Sequence, residues 1–319
     1  MKHLVVVNPK SFDKESDMDS VVRDVRGYFD SSNMDYFIHT SRYPRDGIRI
    51  VKQYVSESDT TVRVYSVGGD GILYDCLNGM MNLPNAQLAV IPYGTTNDFV
   101  RAFGENKQQI FRDIEKQARG AVVKTDVLSI GARYALSFCS VGVESASILK
   151  YYDIVDQHPR LTAVFGKHLF IAGAFLALLD ENTVFQEYEL VIDGVLHRGR
   201  FAGVNISNTG CYGGDKTPVP MAHPADGHLD VIIQKSVSRP VACAVIRGYT
   251  KGRYYKYPKI FSYIRAKEVL LRSDSRMCIN ADGEAYYGDR VEARILPEAV
   301  NIVAPEGLKY VRRAGAPWT

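Results

Sequence analysis

The sequence has few cysteines, and their spacing argues against both a disulfide framework and a zinc site. Its five cysteines are scattered along 319 residues and never occur as Cys-x-x-Cys. Small secreted domains pair their cysteines in dense patterns, and structural zinc is held by closely spaced Cys and His. We therefore expect reduced, mostly buried thiols.

A long apolar run is also missing. The most apolar stretch, Leu161 to Leu179, is interrupted by Lys167 and His168, whereas a membrane-spanning helix needs roughly 18 uninterrupted apolar residues. We predict no transmembrane segment and read the stretch as a helix from about Ala163, with core packing favoured over a membrane interface. The apolar run at Leu4 is too short for a signal peptide, so a cytoplasmic protein is expected.

Strong charge of one sign is absent as well. The formal net charge is +3, and nucleic-acid binders normally carry a concentrated basic stripe. The composition disfavours a nucleic-acid partner but allows a transient attraction to an anionic membrane surface. It leaves the oligomeric state open, a homodimer included.

Several enzyme signatures are not found. The chain lacks Gly-x₄-Gly-Lys-Ser/Thr, Gly-x-Gly-x-x-Gly, Gly-x-Ser-x-Gly and His-Glu-x-x-His, and its seven histidines are dispersed. P-loop kinases, ordinary dehydrogenases, serine hydrolases and zincins are therefore disfavoured.

The pattern that is present changes near the end of the first third. Up to about residue 125, short apolar strands alternate with helical segments, which predicts a three-layer α/β/α domain, 1–125, with a mostly parallel sheet. From 126 to 305, period-two segments rich in Val, Ile, Tyr and Phe predict an antiparallel β-sandwich domain. The tail, 306–319, could pack back on the first domain.

One glycine turn stands between a predicted strand and a predicted helix. Gly68-Gly69-Asp70-Gly71 lacks most Cβ atoms, so its backbone N–H groups can approach an anion at a helix N-terminus. The turn predicts phosphate binding. Alone, it would more simply be an ordinary turn between a strand and a helix.

A second turn follows the next strand, at Pro92 to Phe99, and leads into a helix predicted from about Asn97. Thr95, Thr96 and Asn97 could donate to phosphate oxygens, and Asp98 could organise Mg²⁺ or its waters. The alternative is a helix N-cap. The two turns lie at neighbouring strand ends, where ligands collect in such sheets, and this favours a site.

These motifs and several later ones resemble the diacylglycerol kinase catalytic family, in particular its bacterial soluble lipid kinases, over nearly the whole chain. The segments that carry the resemblance, in order, are Val6-Val7-Asn8-Pro9-Lys10-Ser11, Gly68 to Gly71, Asn78-Gly79, Pro92 to Phe99, Tyr212-Gly213-Gly214, Ala225-Asp226-Gly227-His228-Leu229-Asp230-Val231 and Ala281-Asp282-Gly283-Glu284.

The resemblance implies two domains with an active site in the cleft between them and an ATP- and Mg²⁺-dependent transfer to a lipid such as diacylglycerol. It implies a proton acceptor at Glu284, with Asp282 as second choice, and Asp70 nearest the phosphates. Its further implied residues are Thr40, Gly68, Gly69, Gly71 and Thr95 for ATP, and for the metal region Asp226, main-chain oxygens near His223 and His228, and Asp126, linked through water. The opening Asn8-Pro9 segment adds Asn8 to the nucleotide-binding set, and the second turn adds Gly94, Asn97 and Asp98.

The sequence departs from the family pattern in three places: Ile72 replaces a Thr, Phe12 replaces a small glycine, and Asp215 stands where a third glycine is common. Two other functions remain open, a kinase for a soluble acceptor such as NAD or a sugar phosphate, and a non-catalytic regulator. The lipid is not specified, since a pocket lined by Tyr151, Tyr152, Phe165, Phe170 and Phe175 would be generic, and core packing of these five residues is favoured.

Overall fold

The structure is a computed structural model of the 319-residue chain. It describes residues 1–12, 14–94, 96–158, 169–180, 186–214, 216–305 and 307–312.

The N-terminal part is a parallel sheet with helices on both faces, as the sequence predicts. The strands pair in the order β2-β1-β3-β4. Their bounds, and those of the helices between them, are β1 Lys2–Val7, α1 Glu15–Ser31, β2 Tyr36–Thr40, α2 Asp46–Ser56, β3 Val62–Gly68, α3 Asp70–Met80 and β4 Ala86–Pro92.

The central strands are buried on both faces, which explains their unbroken apolar sequences. In β1, Leu4 and Val6 pack into the core beneath α2 and α3. Val5 and Val7 pack on the opposite side, with Val25 and other residues of α1. The sheet is therefore the middle layer of an α/β/α domain.

The prediction of a helix from about Asn97 is wrong in its start and its type. A short 3-10 helix spans Phe99–Phe103 and ends at Gly104, whose φ of 113° interrupts the turn. Two short helices follow, α4 Gln108–Arg112 and α5 Ile114–Ala118. Asp98 makes no side-chain cap on the 3-10 helix, so its carboxylate is available for another partner.

The C-terminal part is an antiparallel β-sandwich, again as predicted. Three of its helices pack beside the strands, and of these only α7 overlaps a predicted helix. The elements are β5 Ala121–Ile130, β6 Arg133–Ala135, β7 Phe138–Gly142, α6 Val143–Gln157, α7 Leu169–Leu179, β8 Glu187–Ile192, β9 Val195–Ser207, β10 Leu229–Lys235, α8 Arg239–Tyr249, β11 Phe261–Ala266, β12 Glu268–Ala281 and β13 Glu284–Ala304.

Strand β13 joins the two parts. Its first half pairs with β12, whereas Ile302 lies between Val123 of β5 and Leu88 of β4. Ile302 is fully buried in the core that holds α2 and α3. The Tyr310 side chain packs on the same core, and its hydroxyl forms a hydrogen bond with the Thr125 hydroxyl at 2.6 Å. The division at residue 125 stays a prediction, with the end of β13 on the N-terminal side.

Helix α7 contradicts the expectation of core packing for part of the apolar stretch. Ala177 and Leu178 are buried, but Phe175, Leu176 and Leu179 are exposed, as is Tyr152 of α6. Residues 161–168, including Phe165, lie outside the described residues, and the Phe170 side chain is not described. Among the described helices none is long and apolar enough to cross a bilayer.

Ile302→Ala should lower the free energy of unfolding by about 2–5 kcal/mol, since it opens a cavity where β13 enters the N-terminal core. Chemical denaturation measures this. Val195→Ala, at a side chain that is 60% exposed, is the control. Equal effects of the two substitutions would contradict the assignment of β13 to that core.

Candidate active site

The predicted nucleotide-side residues gather at one edge of the parallel sheet. Val7 and Thr40 are paired in register at the ends of β1 and β2, and Asn8 follows at once. A Cβ on Gly68, at the end of β3, would stand 3.2 Å from the Cβ of Asn8 and 2.8 Å from the Ser11 hydroxyl. Parallel strands deliver their carboxyl ends to the same edge, where the helix N-terminus of α3 also lies.

The two glycine turns touch each other. A Cβ on Gly94 would lie 2.2 Å from the Cα of Gly69, and the Tyr93 N–H donates to the Gly68 carbonyl at 2.8 Å. A side chain at Gly94 would therefore collide with the Gly69 backbone, and one at Gly69 would be tight, with its Cβ 3.1 Å from the Gly94 Cα. Asn97 donates to the Gly94 carbonyl at 2.7 Å, so its amide braces the second turn; Thr95 lies outside the described residues.

The first turn fits an anion. Helix α3 begins at Asp70, and Gly69 provides no side-chain cap, so the N–H groups of its first turn have no intrahelical acceptors. They face an edge that is free of Cβ atoms at Gly68, Gly69 and Gly71. Phosphate oxygens are the ligands that such a turn accepts best.

Asp70 and Asp98 form a pair between the turns. The Asp98 N–H donates to Asp70 Oδ1 at 3.1 Å. Burial raises the pKa of Asp70 to about 6, although hydrogen bonds from Thr96 and from the Asp98 N–H oppose the rise. Burial, and then the charge of Asp70, raises the pKa of Asp98 well above its usual range. Two acids that lack full compensation beside a turn that fits an anion also fit a divalent cation.

The second turn also holds a loop of the C-terminal part. The Asp98 carboxylate accepts the Gly214 N–H at 3.0 Å. Arg101 donates to the carbonyls of Gly214 and Lys216, the latter at 2.7 Å. Both Gly213 and Gly214 have left-handed φ values, which let the loop present its N–H. This contact fixes the Gly213-Gly214 motif beside the nucleotide-side turns; Asp215 lies outside the described residues.

The Asp282-Gly283-Glu284 turn joins β12 to β13 as a hairpin. Asp282 accepts three backbone N–H groups, from Leu136 at 2.6 Å, Ser137 at 3.0 Å and Phe138 at 2.9 Å. Burial raises its pKa to about 7, against these donors. Both carboxylate oxygens are engaged, so Asp282 anchors the turn.

Glu284 faces the glycine turn. A Cβ built on Gly71 would lie 3.3 Å from Glu284 Oε1, so this acid of the C-terminal part lies against the first glycine turn. Tyr152 of α6 donates to the Gly283 carbonyl at 3.3 Å, next to Glu284.

Sequence reasoning missed Arg45. It immediately precedes α2, with a φ of 69°. Its guanidinium forms a salt bridge with Asp75 at 2.9 Å and another with Glu284 Oε2. Its guanidinium lies 4.8 Å from the ring centre of Tyr74. The only sequence signal is a basic residue before a helix that begins Asp-Gly, which is too common to identify it. Arg45 holds one oxygen of Glu284, and the other faces Gly71.

Of the residues predicted for the metal region, His223, Asp226 and His228 lie on the loop before β10, and Asp126 lies on β5 beside it. The side chains of all four already contact protein groups. Asp126 accepts the N–H groups of Gly227 and Glu298 at 2.7 and 2.8 Å, and Asp226 pairs with Arg265 at 2.7 Å.

The two histidines are held in the same way: His228 Nδ1 donates to the Asp226 carbonyl at 2.7 Å, and His223 Nδ1 accepts the Ala225 N–H at 3.3 Å. Within the described ranges no three His, Cys, Asp or Glu side chains converge to hold a metal. As arranged, Asp226 does not fit a cation, and a structural magnesium there stays a prediction.

Two sequence families match the chain. The diacylglycerol kinase catalytic domain matches residues 2–130, and the YegS C-terminal NAD kinase beta sandwich-like domain matches 155–304. A protein named "Putative lipid kinase" from Staphylococcus aureus (strain Mu3 / ATCC 700698) is 25% identical over 262 residues, which cover 81% of this chain and 81% of that protein. A protein of the same name from Staphylococcus epidermidis (strain ATCC 12228 / FDA PCI 1200) is 25% identical over 255 residues, which cover 79% of this chain and 80% of that protein.

Solved structures show the same fold. A crystal structure described as a diacylglycerol kinase from Bacillus anthracis str. Sterne aligns with a TM-score of 0.73 at 21% identity, over 96% of this chain and 97% of that one. A second, described as a putative diacylglycerol kinase from the same strain, gives 0.72 at 20% identity, over the same shares. The chain therefore combines a diacylglycerol kinase catalytic domain with a YegS C-terminal NAD kinase beta sandwich-like domain.

Proposed function

We propose that this chain transfers the γ-phosphate of ATP to the hydroxyl group of a membrane lipid such as diacylglycerol, with Mg²⁺. The observation that carries the proposal is the 3.3 Å between Glu284 Oε1 and the Cβ position of Gly71. It brings a carboxylate within reach of whatever a phosphate-binding turn holds. The relatives named as lipid kinases support the choice of acceptor.

The chain's own groups divide the work of the reaction. The N–H groups at the start of α3 would bind the phosphates, with Asn8 and Thr40 at the same sheet edge. Bound Mg²⁺ would supply charge neutralisation next to Asp70 and Asp98. Phosphoryl transfer requires little more than phosphates held in place and an oriented nucleophile.

Glu284 would take the proton. As the lipid oxygen bonds to the γ-phosphorus and the bond to the β–γ bridging oxygen breaks, the hydroxyl proton passes to Glu284 Oε1 and ADP leaves. Arg45 holds Oε2, which orients the free oxygen toward Gly71. Asp282 is the weaker candidate because its carboxylate already accepts three N–H groups.

ADP release, measured with and without mixed micelles of diacylglycerol, tests the proposal against the two alternatives. We expect turnover that depends on the lipid and on Mg²⁺. Turnover that responds only to a soluble acceptor would replace the lipid assignment. No turnover with any acceptor would favour a non-catalytic regulator.

Glu284→Gln should reduce the rate of transfer by about 10²–10⁴-fold, the usual contribution of a general base, while ATP still binds. Isothermal titration with a non-hydrolysable ATP analogue measures the binding separately. A variant with a near-normal rate would show that another group accepts the proton.

Asp282→Asn should mainly lower stability. An amide has one acceptor oxygen and would turn its NH₂ toward a backbone N–H, which costs about 1–3 kcal/mol for each buried group left unpaired. Chemical denaturation should show this loss for Asp282→Asn and a much smaller one for Glu284→Gln. Equal stability losses in the two variants would contradict the proposal that Asp282 anchors the turn while Glu284 accepts the proton.

A further inference from the structure

Helix α7 exposes an entire apolar face. Ala172, Phe175, Leu176 and Leu179 recur at the spacing of one helix face, and all are exposed, Phe175 by 55%. The opposite face is equally apolar and packs on α6, so closely that a Cβ on Gly173 would lie 2.7 Å from the Ser147 carbonyl. A helix that is apolar on both sides normally has a partner on each.

Helix α8 adjoins this face. Arg239 donates to the carbonyls of Leu178 and Leu179 at 3.1 and 3.0 Å, which joins the start of α8 to the end of α7. Beyond this joint, Val241 and Ile246 are exposed by 40% and 38%, on different sides of the helix. Helix α8 therefore contributes single exposed apolar side chains and no second apolar face.

The same region concentrates positive charge. Residues 236–260 contain six Lys or Arg and no Asp or Glu, although the whole chain has a net charge of only +3. Its exposed bases are Arg247, Lys251, Arg253, Lys256 and Lys259. None of these five forms a salt bridge with a described residue, so the charge is not neutralised locally.

We propose that this α7–α8 surface, defined by the exposed residues named above, docks on an anionic phospholipid bilayer. The 11 residues of α7 extend about 16 Å, which suits a helix lying in the interface. Each base near such a membrane strengthens binding about fivefold. A second copy of the chain is a less suitable partner for this surface, because it would bring two uncompensated basic segments together.

The surface is connected to the candidate site. Helix α7 packs along α6, and Tyr152 of α6 bonds the Gly283 carbonyl next to Glu284. Docking through α7 would therefore bring the bilayer to the part of the molecule that carries the proposed base. This orientation rests on the proposed function, whereas the docking itself is measured without any reaction.

Vesicle flotation tests the docking. Wild-type protein should float with vesicles of phosphatidylcholine and phosphatidylglycerol, less so at high salt, and weakly with phosphatidylcholine alone. Phe175→Ser with Leu176→Ser, and separately Arg247→Glu with Lys251→Glu, should each weaken binding by roughly tenfold or more. The matched controls are Val195→Ser, at another exposed apolar side chain, and Lys52→Glu, at another exposed lysine; they should bind like wild type.

Other outcomes overturn the inference. Wild type that does not float, or α7–α8 variants with unchanged melting temperatures that float like the controls, would exclude this surface. Variants that float normally but convert a dimer to a monomer on gel filtration would make it a subunit interface. Flotation lost in the variants while no lipid is phosphorylated by wild type would support docking and reject the proposed kinase activity.

Discussion

The candidate site depends on the carboxylate of Asp282, which is held by three successive backbone N–H groups at the start of β7. This anchor fixes a turn whose first residue has a φ of 48°, a conformation that costs free energy in any residue except glycine. Only with that turn in place does the next strand begin with Glu284 facing the N-terminal part. The strain is small beside the cost of leaving those three N–H groups without an acceptor, about 1–3 kcal/mol for each buried group.

Close approach on the other side depends on missing Cβ atoms. A Cβ on Gly94 would collide with Gly69, and one on Gly71 would crowd the Glu284 carboxylate. The contact of Asp98 and Arg101 with the Gly214 loop then fixes the two parts at a second place. Strand β13, shared by both cores, gives the third connection. The contact between Glu284 and the glycine turn is therefore a consequence of the fold, with the turns packed on one another before any ligand enters.

The features that the sequence predicts correctly are those that depend on neighbouring residues in the chain. Strands buried on both faces, such as β1, have unbroken apolar sequences, and glycines between a strand and a helix predict an anion-binding turn. What failed depends on distant residues. The helix predicted from about Asn97 is instead a 3-10 helix from Phe99, beside which Asp98 accepts the Gly214 N–H. Arg45 gains its role only from Asp75 and Glu284. Helix α7 has a core composition yet exposes Phe175, because nothing in an apolar sequence tells which face remains unpacked.

Arg45 explains how a carboxylate can be both oriented and available. An acid free to rotate would present either oxygen to the glycine turn, whereas the guanidinium, itself held by Asp75 and stacked on Tyr74, binds Oε2. Oε1 is left facing Gly71. Because Arg45 is 41% exposed, water screens the pair and its net contribution to stability is small. Its main effect is on geometry: it fixes the direction in which a proton could be accepted.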